Sequence, residues 1–392
     1  MNATHNNHST QVTSVLYMAF EMGEAKWRLA FATGMAERPR QRQIVARDLN
    51  SLMEEIRAAK ARFGLPEDAK VVSCYEAGRD GFWLHRFLAS RGVENHVLDS
   101  ASIEVDRRKR RAKTDRLDAE KLLRLLIRWS EGDKKACRTV QVPAAEDEDA
   151  RQLHRELEEL KREQTSHRNR IKGLFAQYGV SAVIDRHFPA RLKALRTWEG
   201  KPLPEDLINR LFREFQRMQQ VNAQIRQLEK ERSRRIREQG EDAAVILVRK
   251  LLRLRAIGMN FAWMVVRELF AWRRIKNRRQ LGALVGLIPM PYSSGNGSRD
   301  QGISKAGNRR IRAMLVEIAW CWLRLQPQSE LTQWFQEHFG GGSKRLRRIG
   351  IVAVGRKLMV ALWKYLVTDE VPRGAQLVEW EDKLRQTAVS LS

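Results

Sequence analysis

Cysteines, turn-forming residues and long apolar runs are all scarce in this chain of 392 residues. Its three cysteines, Cys74, Cys137 and Cys321, are odd in number and far apart, which excludes a disulfide framework and is typical of a reducing compartment. The eight histidines show neither an HExxH pattern nor the Cys/His spacing of a zinc site. With 24 glycines and 10 prolines, the composition is not that of a disordered or fibrous protein.

Acidic residues are also few relative to basic ones. Asp and Glu number 47 against 73 Lys and Arg, which leaves a net charge of +26. A charge excess of this size predicts a polyanionic partner, and nucleic acid is the commonest one. No stretch approaches the roughly 18 uninterrupted apolar residues of a membrane span, and the polar first ten residues lack the pattern of a secretory signal. We therefore expect a soluble cytoplasmic protein that contacts nucleic acid and no membrane.

The first 130 or so residues alternate between strand and helix patterns. Two apolar runs around a glycine-containing connection predict a β-hairpin over 15–31, and the apolar spacing of 43–63 predicts a helix. A short buried strand (71–75), a helix (82–90) and another short strand (96–98) follow. This alternation predicts an α/β first domain.

The middle of the chain has the spacing of a coiled coil. The residues at 153, 157, 160, 164, 167, 171 and 174 are Leu, Leu, Leu, Gln, His, Ile and Leu, a 4-3-4-3 pattern with a polar centre. A second run has the same spacing at 211, 215, 218, 222 and 225. The two runs predict an antiparallel helical hairpin or an arm that pairs with another subunit, and a bundle that covers its own core is an equal alternative.

From about 241 the chain is strongly basic and helical in pattern, with one turn-rich break at 286–308. We therefore predict three parts: an α/β domain over 1–135, a helical linker and coiled coil over 136–240, and a mostly α-helical domain over 241–392.

Four acidic residues stand out by position. Glu21 and Glu76 each end a predicted strand, and Asp115 and Asp118 lie three apart at the start of a predicted helix, so the latter two share a face. If the two strands are neighbours in one sheet, Glu21 and Glu76 also meet. Clustered carboxylates supply the hard oxygen ligands that Mg²⁺ or Mn²⁺ prefers. Taken alone, the Asp115–Asp118 pair is better explained as a surface or helix-capping pair, and Glu76 as an exposed strand end.

The turn-rich break contains serines flanked by glycine, and glycine allows close approach to a phosphate. Nearby Arg299, Lys305, Arg309 and Arg312 are candidates for holding phosphate oxygens. Serine and glycine in such a segment are also ordinary turn formers.

Basic clusters recur along the chain and predict strongly salt-dependent nucleic-acid binding. They are Arg107–Lys113, which includes Arg107, Arg108 and Lys113; Arg273–Arg279; Arg309–Arg312, which includes Arg310; and Lys344–Arg348.

Four motifs, taken in order, resemble a known family. They are YEAG at 75–78, KTDRLDA at 113–119, GLIPMPYSSG at 286–295 and GISKAGNR at 302–309. Together they resemble the DEDD/serine transposases of the IS-one-ten family of bacterial insertion sequences, over about residues 15–375.

The resemblance implies a RuvC-like (RNase H-fold) first domain with metal-binding acids on strand one, strand four and a late helix. Glu76, Asp115 and Asp118 match three of the four acidic positions. At the fourth, Glu21 stands where the family usually has Asp, and its extra methylene moves the carboxylate by about 1.5 Å. The nucleophilic serine of the last domain maps to Ser294, with the adjacent Ser293 as the second candidate.

The resemblance also implies a recombinase that forms a 5′-phosphoserine link to DNA and stores the bond energy for rejoining. Its implied partners are double-stranded donor and target DNA, a non-coding bridge RNA that selects the sites, and other copies of itself in a dimer or tetramer. Its implied location is the bacterial cytoplasm, associated with the nucleoid.

Two other functions compete with this hypothesis. One is a metal-dependent, structure-specific nuclease or resolvase that uses the acids without a covalent serine step. The other is a non-catalytic nucleic-acid scaffold derived from a transposase, in which Glu21 marks the loss of activity.

Overall fold

The computed structural model describes residues 15–103, 115–294 and 297–391, with backbone alone for 115–117, 291–294, 297–301 and 386–391. The chain forms two compact units, which divide between Val142 and Pro143. The first is a mixed α/β unit and the second is mostly helical, as the sequence predicted.

Within residues 15–103 and 115–142, the first unit contains five strands, three helices and a short 3₁₀ turn at Ser100–Ser102. The strands are β1 (Leu16–Met22), β2 (Lys26–Ala32), β3 (Arg40–Val45), β4 (Val71–Glu76) and β5 (Glu94–Leu98). The helices are α1 (Leu49–Arg62), α2 (Trp83–Ser90) and α3 (Asp115–Ser130).

The five strands form one sheet in the order β3-β2-β1-β4-β5. β1 pairs antiparallel with β2, and β2 pairs antiparallel with β3. β1 pairs parallel with β4, and β4 pairs parallel with β5. β1 is therefore the central strand and the point where the sheet changes from antiparallel to parallel pairing.

The two faces of the sheet bury different residues because side chains alternate along a strand. Met18 and Phe20 of β1 pack in a core that also contains residues of α1 and α2. Ala19 of β1 and Cys74 of β4 pack in a second core under α3. The small side chains on this second face allow α3 to lie close to the sheet.

The predicted hairpin at 15–31 is confirmed as β1 and β2, and the strand predicted at 71–75 is confirmed as β4. The helix predicted over 43–63 is wrong at its start, because β3 occupies Arg40–Val45 and α1 begins only at Leu49. β3 is an edge strand in which only Ile44 is buried, so its polar sequence lacks the alternation that marks a half-buried strand.

The second unit contains eleven helices and one two-stranded sheet within the described residues. The helices are α4 (Ala145–Asp149), α5 (Gln152–Ala176), α6 (Phe188–Leu192), α7 (Glu205–Glu238), α8 (Ala243–Leu252), α9 (Met259–Val265), α10 (Arg278–Val285), α11 (Arg309–Leu325), α12 (Glu330–Phe335), α13 (Lys344–Thr368) and α14 (Trp380–Leu391). π-helical turns extend α9 over Val266–Phe270 and α12 over Gln336–Gly340. The strands are β6 (Pro289–Ser294) and β7 (Gly297–Ile303).

The helices α5 and α7 form an antiparallel hairpin within one chain. Leu157 and Leu160 pack with Val221 and Ile225 near one end. The other apolar seam residues are also buried, and the polar Gln164 and Asn222 are partly buried. At the polar centre, Gln164 Nε2 donates to Asn222 Oδ1 at 2.6 Å. The seam is therefore covered by the chain's own second helix.

A buried carboxylate lies where this hairpin meets the helical core. Glu268, in the π-helical turn after α9, is 4% exposed. Its Oε1 accepts from His154 Nε2 at 2.9 Å and from Arg155 Nε at 2.8 Å, both on α5. Burial alone raises the pKa of Glu268, but the hydrogen bonds from His154 and Arg155 outweigh burial and hold the pKa at about 2.

Within the part of the chain that the structure describes, no helix is long and apolar enough to cross a lipid bilayer.

Glu268→Gln is expected to lower the free energy of unfolding at pH 7 by about 3 kcal/mol, because lowering this carboxylate's pKa from its usual 4.5 to about 2 stabilises the fold by that amount. This stabilisation is complete above pH 4.5 and is lost as the pH falls toward 2. The difference in urea stability between wild type and the variant should therefore shrink between pH 7 and pH 3. The exposed Glu330→Gln is the matched control and should change stability little at either pH. A difference that is the same at both pH values would contradict the assignment.

Candidate functional site

The register of β1 and β4 brings two of the predicted acids together. The strands run parallel, and their last paired residues are Phe20 and Tyr75. The next residues along each strand are Glu21 and Glu76, so the two carboxylates follow neighbouring positions about 4.8 Å apart in the backbone. The sequence-based expectation that these two strand ends meet is confirmed.

Both acids also lie on the same face of the sheet. Glu21 is two residues after Ala19, and Glu76 is two residues after Cys74, so each glutamate shares a face with that residue. Ala19 and Cys74 both pack under α3. Glu76 is exposed and Glu21 is partly exposed, because both lie just beyond the edge of the core. The carboxylates therefore lie at the open end of the layer between sheet and helix.

The helix α3 begins at this same end of the sheet. The Cys74 thiol donates to the Leu122 carbonyl at 3.6 Å, which sets Leu122 level with the Ala19–Cys74 pair. Burial and the charge of Glu131 raise the pKa of Tyr17. Glu131, just after the end of α3, therefore lies near Tyr17 at the start of β1, so α3 runs antiparallel to β1.

Asp118 lies one turn before Leu122, a rise of about 6 Å. Two residues of strand from Ala19 to Glu21 span a similar distance, about 6.7 Å. Asp118 is partly buried on the helix face that Leu122 buries, and Asp115 is the first residue of α3, one turn earlier. The first turn of α3 is therefore level with the ends of β1 and β4, although the Asp115 side chain is outside the described part.

Glu21 and Glu76 line a cleft of about 460 Å³. Two further acids that the sequence analysis did not select, Glu24 and Asp80, also line it. Asp80 pairs with Arg47 at 3.4 Å and Glu24 pairs with Arg79 at 3.6 Å, so cations already neutralise these two. Among the side chains that the structure describes, no three acidic, histidine or cysteine residues converge closely enough to hold a metal ion.

Arg28 is a neighbour of this site that the sequence analysis also missed. It lies directly opposite Glu21 in the β1–β2 register. It is two residues before Ala30 and on the same face of β2, and Ala30 packs under α3. Arg28 therefore lies across from Glu21 on the face of the sheet that α3 covers. Only the hairpin register, which the residue pattern does not fix, could have revealed this pairing.

The two candidate serines lie on β6 of the second unit. Ser293 pairs with Ser298 and Ser294 with Gly297, so Ser294 is in the innermost pair of the β6–β7 hairpin. The sequence analysis expected a loop here, and the structure corrects this to a strand end that borders the connecting residues 295 and 296, which are outside the described part. A strand position is held by cross-strand hydrogen bonds and is more rigid than a free loop.

Two glycines, Gly286 and Gly307, lie at the base of the β6–β7 hairpin. We call this hairpin the serine hairpin and these two glycines its clasp. Gly286 ends α10 with φ 69°, and Gly307 precedes α11 with φ 104°. A Cβ at Gly286 would overlap the Ala306 carbonyl oxygen, and one at Gly307 would overlap that of Leu284. The backbone N–H of Lys305 donates to Gly286 O at 3.1 Å across this base. Both positions need glycine for conformation and for space.

Asn308 then connects the clasp to the buried carboxylate. Its side-chain oxygen caps α11 by accepting from the N–H groups of Arg310 and Ile311. Its Nδ2 donates to Glu268 Oε2 at 3.3 Å. The hairpin base, α11 and the root of the α5–α7 hairpin are thus joined through Asn308 and Glu268.

The candidate phosphate-binding cations differ in their availability. Lys305 and Arg309 are exposed at the hairpin base. Arg310 pairs with Glu158 at 2.6 Å, and Arg312 Nη1 donates to the Val285 carbonyl at 3.3 Å, so both already stabilise the fold. Arg299 is on β7 with only its backbone described. Arg107, Arg108 and Lys113 lie outside the described residues.

Two kinds of comparison with known proteins give matches, one to part of the second unit and one to most of the chain. A family model described as "Transposase IS116/IS110/IS902 family" matches residues 248–333, a segment that contains Glu268, the serine hairpin and its clasp. The chain is 38% identical over 374 residues to "Putative transposase y4rJ" of Sinorhizobium fredii, covering 92% of this chain and 94% of that protein.

More distant relatives carry the same description. The chain is 28% identical over 224 residues to the transposase for insertion sequence element IS1328 of Yersinia enterocolitica, covering 56% of this chain and 64% of that one. It is 24% identical over 267 residues to the transposase for insertion sequence element IS1111A of Coxiella burnetii, covering 67% and 68%.

These matches identify the class of protein as a transposase, an enzyme that acts on DNA in transposition. Because the similarity to the Sinorhizobium protein spans nearly the full length of both chains, this chain belongs to the IS116/IS110/IS902 family of transposases. The resemblance identified from the four sequence motifs is confirmed.

Gly307→Ala is expected to lower the free energy of unfolding by at least about 2 kcal/mol, because φ 104° is strained for alanine and the new Cβ overlaps a carbonyl oxygen. The matched control is Gly341→Ala, where a Cβ meets open space and φ is −81°, and its effect should stay within about 0.5 kcal/mol. The urea midpoint of each purified variant measures this difference. Equal midpoints for the two variants would refute the role of the clasp.

Proposed function

We propose that this transposase cuts and rejoins DNA through a covalent serine intermediate, with a divalent metal held by the acids of the α/β unit. The observation that carries the proposal is the parallel register of β1 and β4, which sets Glu21 beside Glu76 below the first turn of α3. The sheet order, and acids on β1, β4 and α3, support a RuvC-like first domain. The three-part division at 135 and 240 remains part of this proposal.

The donor set fits Mg²⁺ or Mn²⁺. Glu21, Glu76, Asp115 and Asp118 offer only carboxylate oxygens, the hard ligands that these cations prefer. Mg²⁺ commonly binds through one or two carboxylates and keeps several waters, so two adjacent strand-end acids suffice to begin a site. A cation bound there would polarise a phosphodiester and stabilise its attacking and leaving oxygens.

The covalent step is proposed for Ser294, with Ser293 as the second candidate. The Oγ–P bond forms as the P–O3′ bond breaks, the hydroxyl proton passes to a base or water, and the 3′ oxygen leaves as a hydroxyl. Attack by another 3′ hydroxyl reverses these bonds and joins a new pair of strands. The glycine clasp and the Asn308–Glu268 contact support this role, because a nucleophile must be held in one geometry.

The nucleic-acid partners follow from charge and family. A net charge of +26 supports contacts with double-stranded donor and target DNA together with a folded RNA. We propose that a bridge RNA from the element's non-coding end selects both DNA sites by base pairing. We also propose a dimer or tetramer, in which acids of one copy face the serine of another, and association with the nucleoid.

Ser294→Ala is expected to abolish a covalent protein–DNA adduct that survives denaturing electrophoresis, since no other group replaces the Oγ–P bond. The reaction contains Mg²⁺, donor DNA and RNA transcribed from the element's non-coding end. Ser293→Ala is the matched control and should retain the adduct. An adduct that survives Ser294→Ala and disappears with Ser293→Ala moves the role by one residue, and strand cleavage that survives both favours the hydrolytic nuclease.

Asp118→Asn and Glu76→Gln are each expected to reduce strand cleavage by at least about 100-fold while DNA affinity falls little, because each removes a charged ligand without removing the basic surface. Asp80→Asn is the matched control, since Asp80 lines the same cleft but pairs with Arg47. Cleavage rates and anisotropy of labelled DNA measure the two effects. Equal cleavage by all three variants would contradict the metal role.

Glu21→Asp distinguishes an active enzyme from a scaffold that has lost activity. The wild-type protein is expected to cleave with Glu21 in place. Cleavage that appears only after this substitution would favour the scaffold.

A further inference from the structure

A second, larger cleft lies at the base of the serine hairpin. Its volume is about 980 Å³. It is bounded by α10, the start of β6, the end of β7, the end of α12, and α13 from Arg345 to Val360. Pro289 and Gly302, at the two feet of the hairpin, form part of its wall. The hairpin that carries the candidate nucleophile therefore also forms part of the cleft wall.

Six cations and no acidic residue line the cleft. None of the six has a carboxylate within ion-pair distance among the residues that the structure describes. They are Arg278, Arg279, Arg345, Arg348, Arg356 and Lys357. So many unneutralised charges around one concave surface strongly attract an anion.

Apolar side chains also line the cleft. They include Leu287, Ile303, Val352 and Val360, together with Ile349, which is 52% exposed. Lys357 lies 4.2 Å from the centre of the Trp334 ring, so the aromatic wall is already packed against one of the cations. A phosphate or sulfate alone would leave these apolar side chains uncovered.

The occupant must therefore combine phosphate charge with a flat apolar group. A DNA duplex presents phosphates at its surface, but its bases are stacked inside and cannot reach apolar side chains within a cleft. An unpaired strand offers both, since its phosphates can reach the arginines while a base packs on the apolar side chains. The volume is at the upper end of the range for ligand pockets, roughly 300–1,000 Å³, and is ample for a nucleotide.

We propose that this cleft, called the nucleotide cleft below, binds an unpaired DNA nucleotide next to the DNA strand that Ser294 attacks. The inference rests on the proposed function for its choice of DNA over RNA, because the same hairpin holds Ser294. The protein would then stabilise locally opened DNA at the reaction site, with Arg348 and Arg345 on the phosphates and Ile349 against the base.

The test measures anisotropy of full-length protein with fluorescein-labelled dT20, a mixed-sequence 20-base-pair duplex and rU20. Ile349→Asn should weaken dT20 binding about fivefold and change duplex binding less than twofold. Leu346→Asn, an exposed apolar residue on the same helix outside the cleft, is the matched control and should change neither. Arg348→Ala should weaken dT20 binding about fivefold, and its neighbour Arg347→Ala, which does not line the cleft, less than twofold.

Equal losses for the cleft variants and their controls, or equal losses for dT20 and duplex, would overturn the proposal. A larger loss for rU20 than for dT20 would assign the cleft to RNA and would overturn it as well. None of these measurements requires strand cleavage. Failure of the covalent serine step and failure of the nucleotide cleft are therefore separate results.

Discussion

The parallel pairing of β1 with β4 is the constraint on which the proposed chemistry depends. Side chains alternate along each strand, so a slip of one residue in either strand would turn its terminal glutamate to the opposite face. The observed register, ending at Phe20 and Tyr75, keeps Glu21 and Glu76 on the face that α3 covers. The small residues Ala19, Ala30 and Cys74 on that face allow the helix to approach.

In the second unit, the small β6–β7 hairpin is held rigidly on a helical body. A two-stranded hairpin alone is only marginally stable in water. Here both feet of the hairpin are fixed, by glycines that allow carbonyl oxygens to approach and by Asn308, which caps α11 and contacts Glu268. Because Glu268 is also bound by His154 and Arg155 of α5, the long α5–α7 hairpin is tied to the same point. Glu268 therefore links the α5–α7 hairpin to the base of the β6–β7 hairpin.

The sequence predicted those parts of the fold that local patterns determine. The β1–β2 hairpin, β4 and the coiled-coil seam follow from periodicity, and the meeting of Glu21 with Glu76 followed once those strands were assumed to be neighbours. β3 was missed because an edge strand with one buried residue, Ile44, has no clear pattern.

Other features depend on tertiary contacts that no local pattern records. The need for glycine at 286 and 307 arises from the Ala306 and Leu284 carbonyls. Glu268 has an ordinary helical sequence around it, and its importance comes from α5, more than 100 residues earlier. The six cations of the nucleotide cleft come from separate sequence clusters, and they become one surface only when α10 and α13 pack together.

The central claim is that the acids and the serine act on one phosphodiester. Replacing a non-bridging oxygen of that linkage with sulfur tests it most directly, since Mg²⁺ binds sulfur poorly and softer cations bind it well. One phosphorothioate diastereomer should block the Ser294 adduct in Mg²⁺, and Mn²⁺ or Cd²⁺ should restore it. An adduct that forms equally well in Mg²⁺ with both diastereomers would contradict the account.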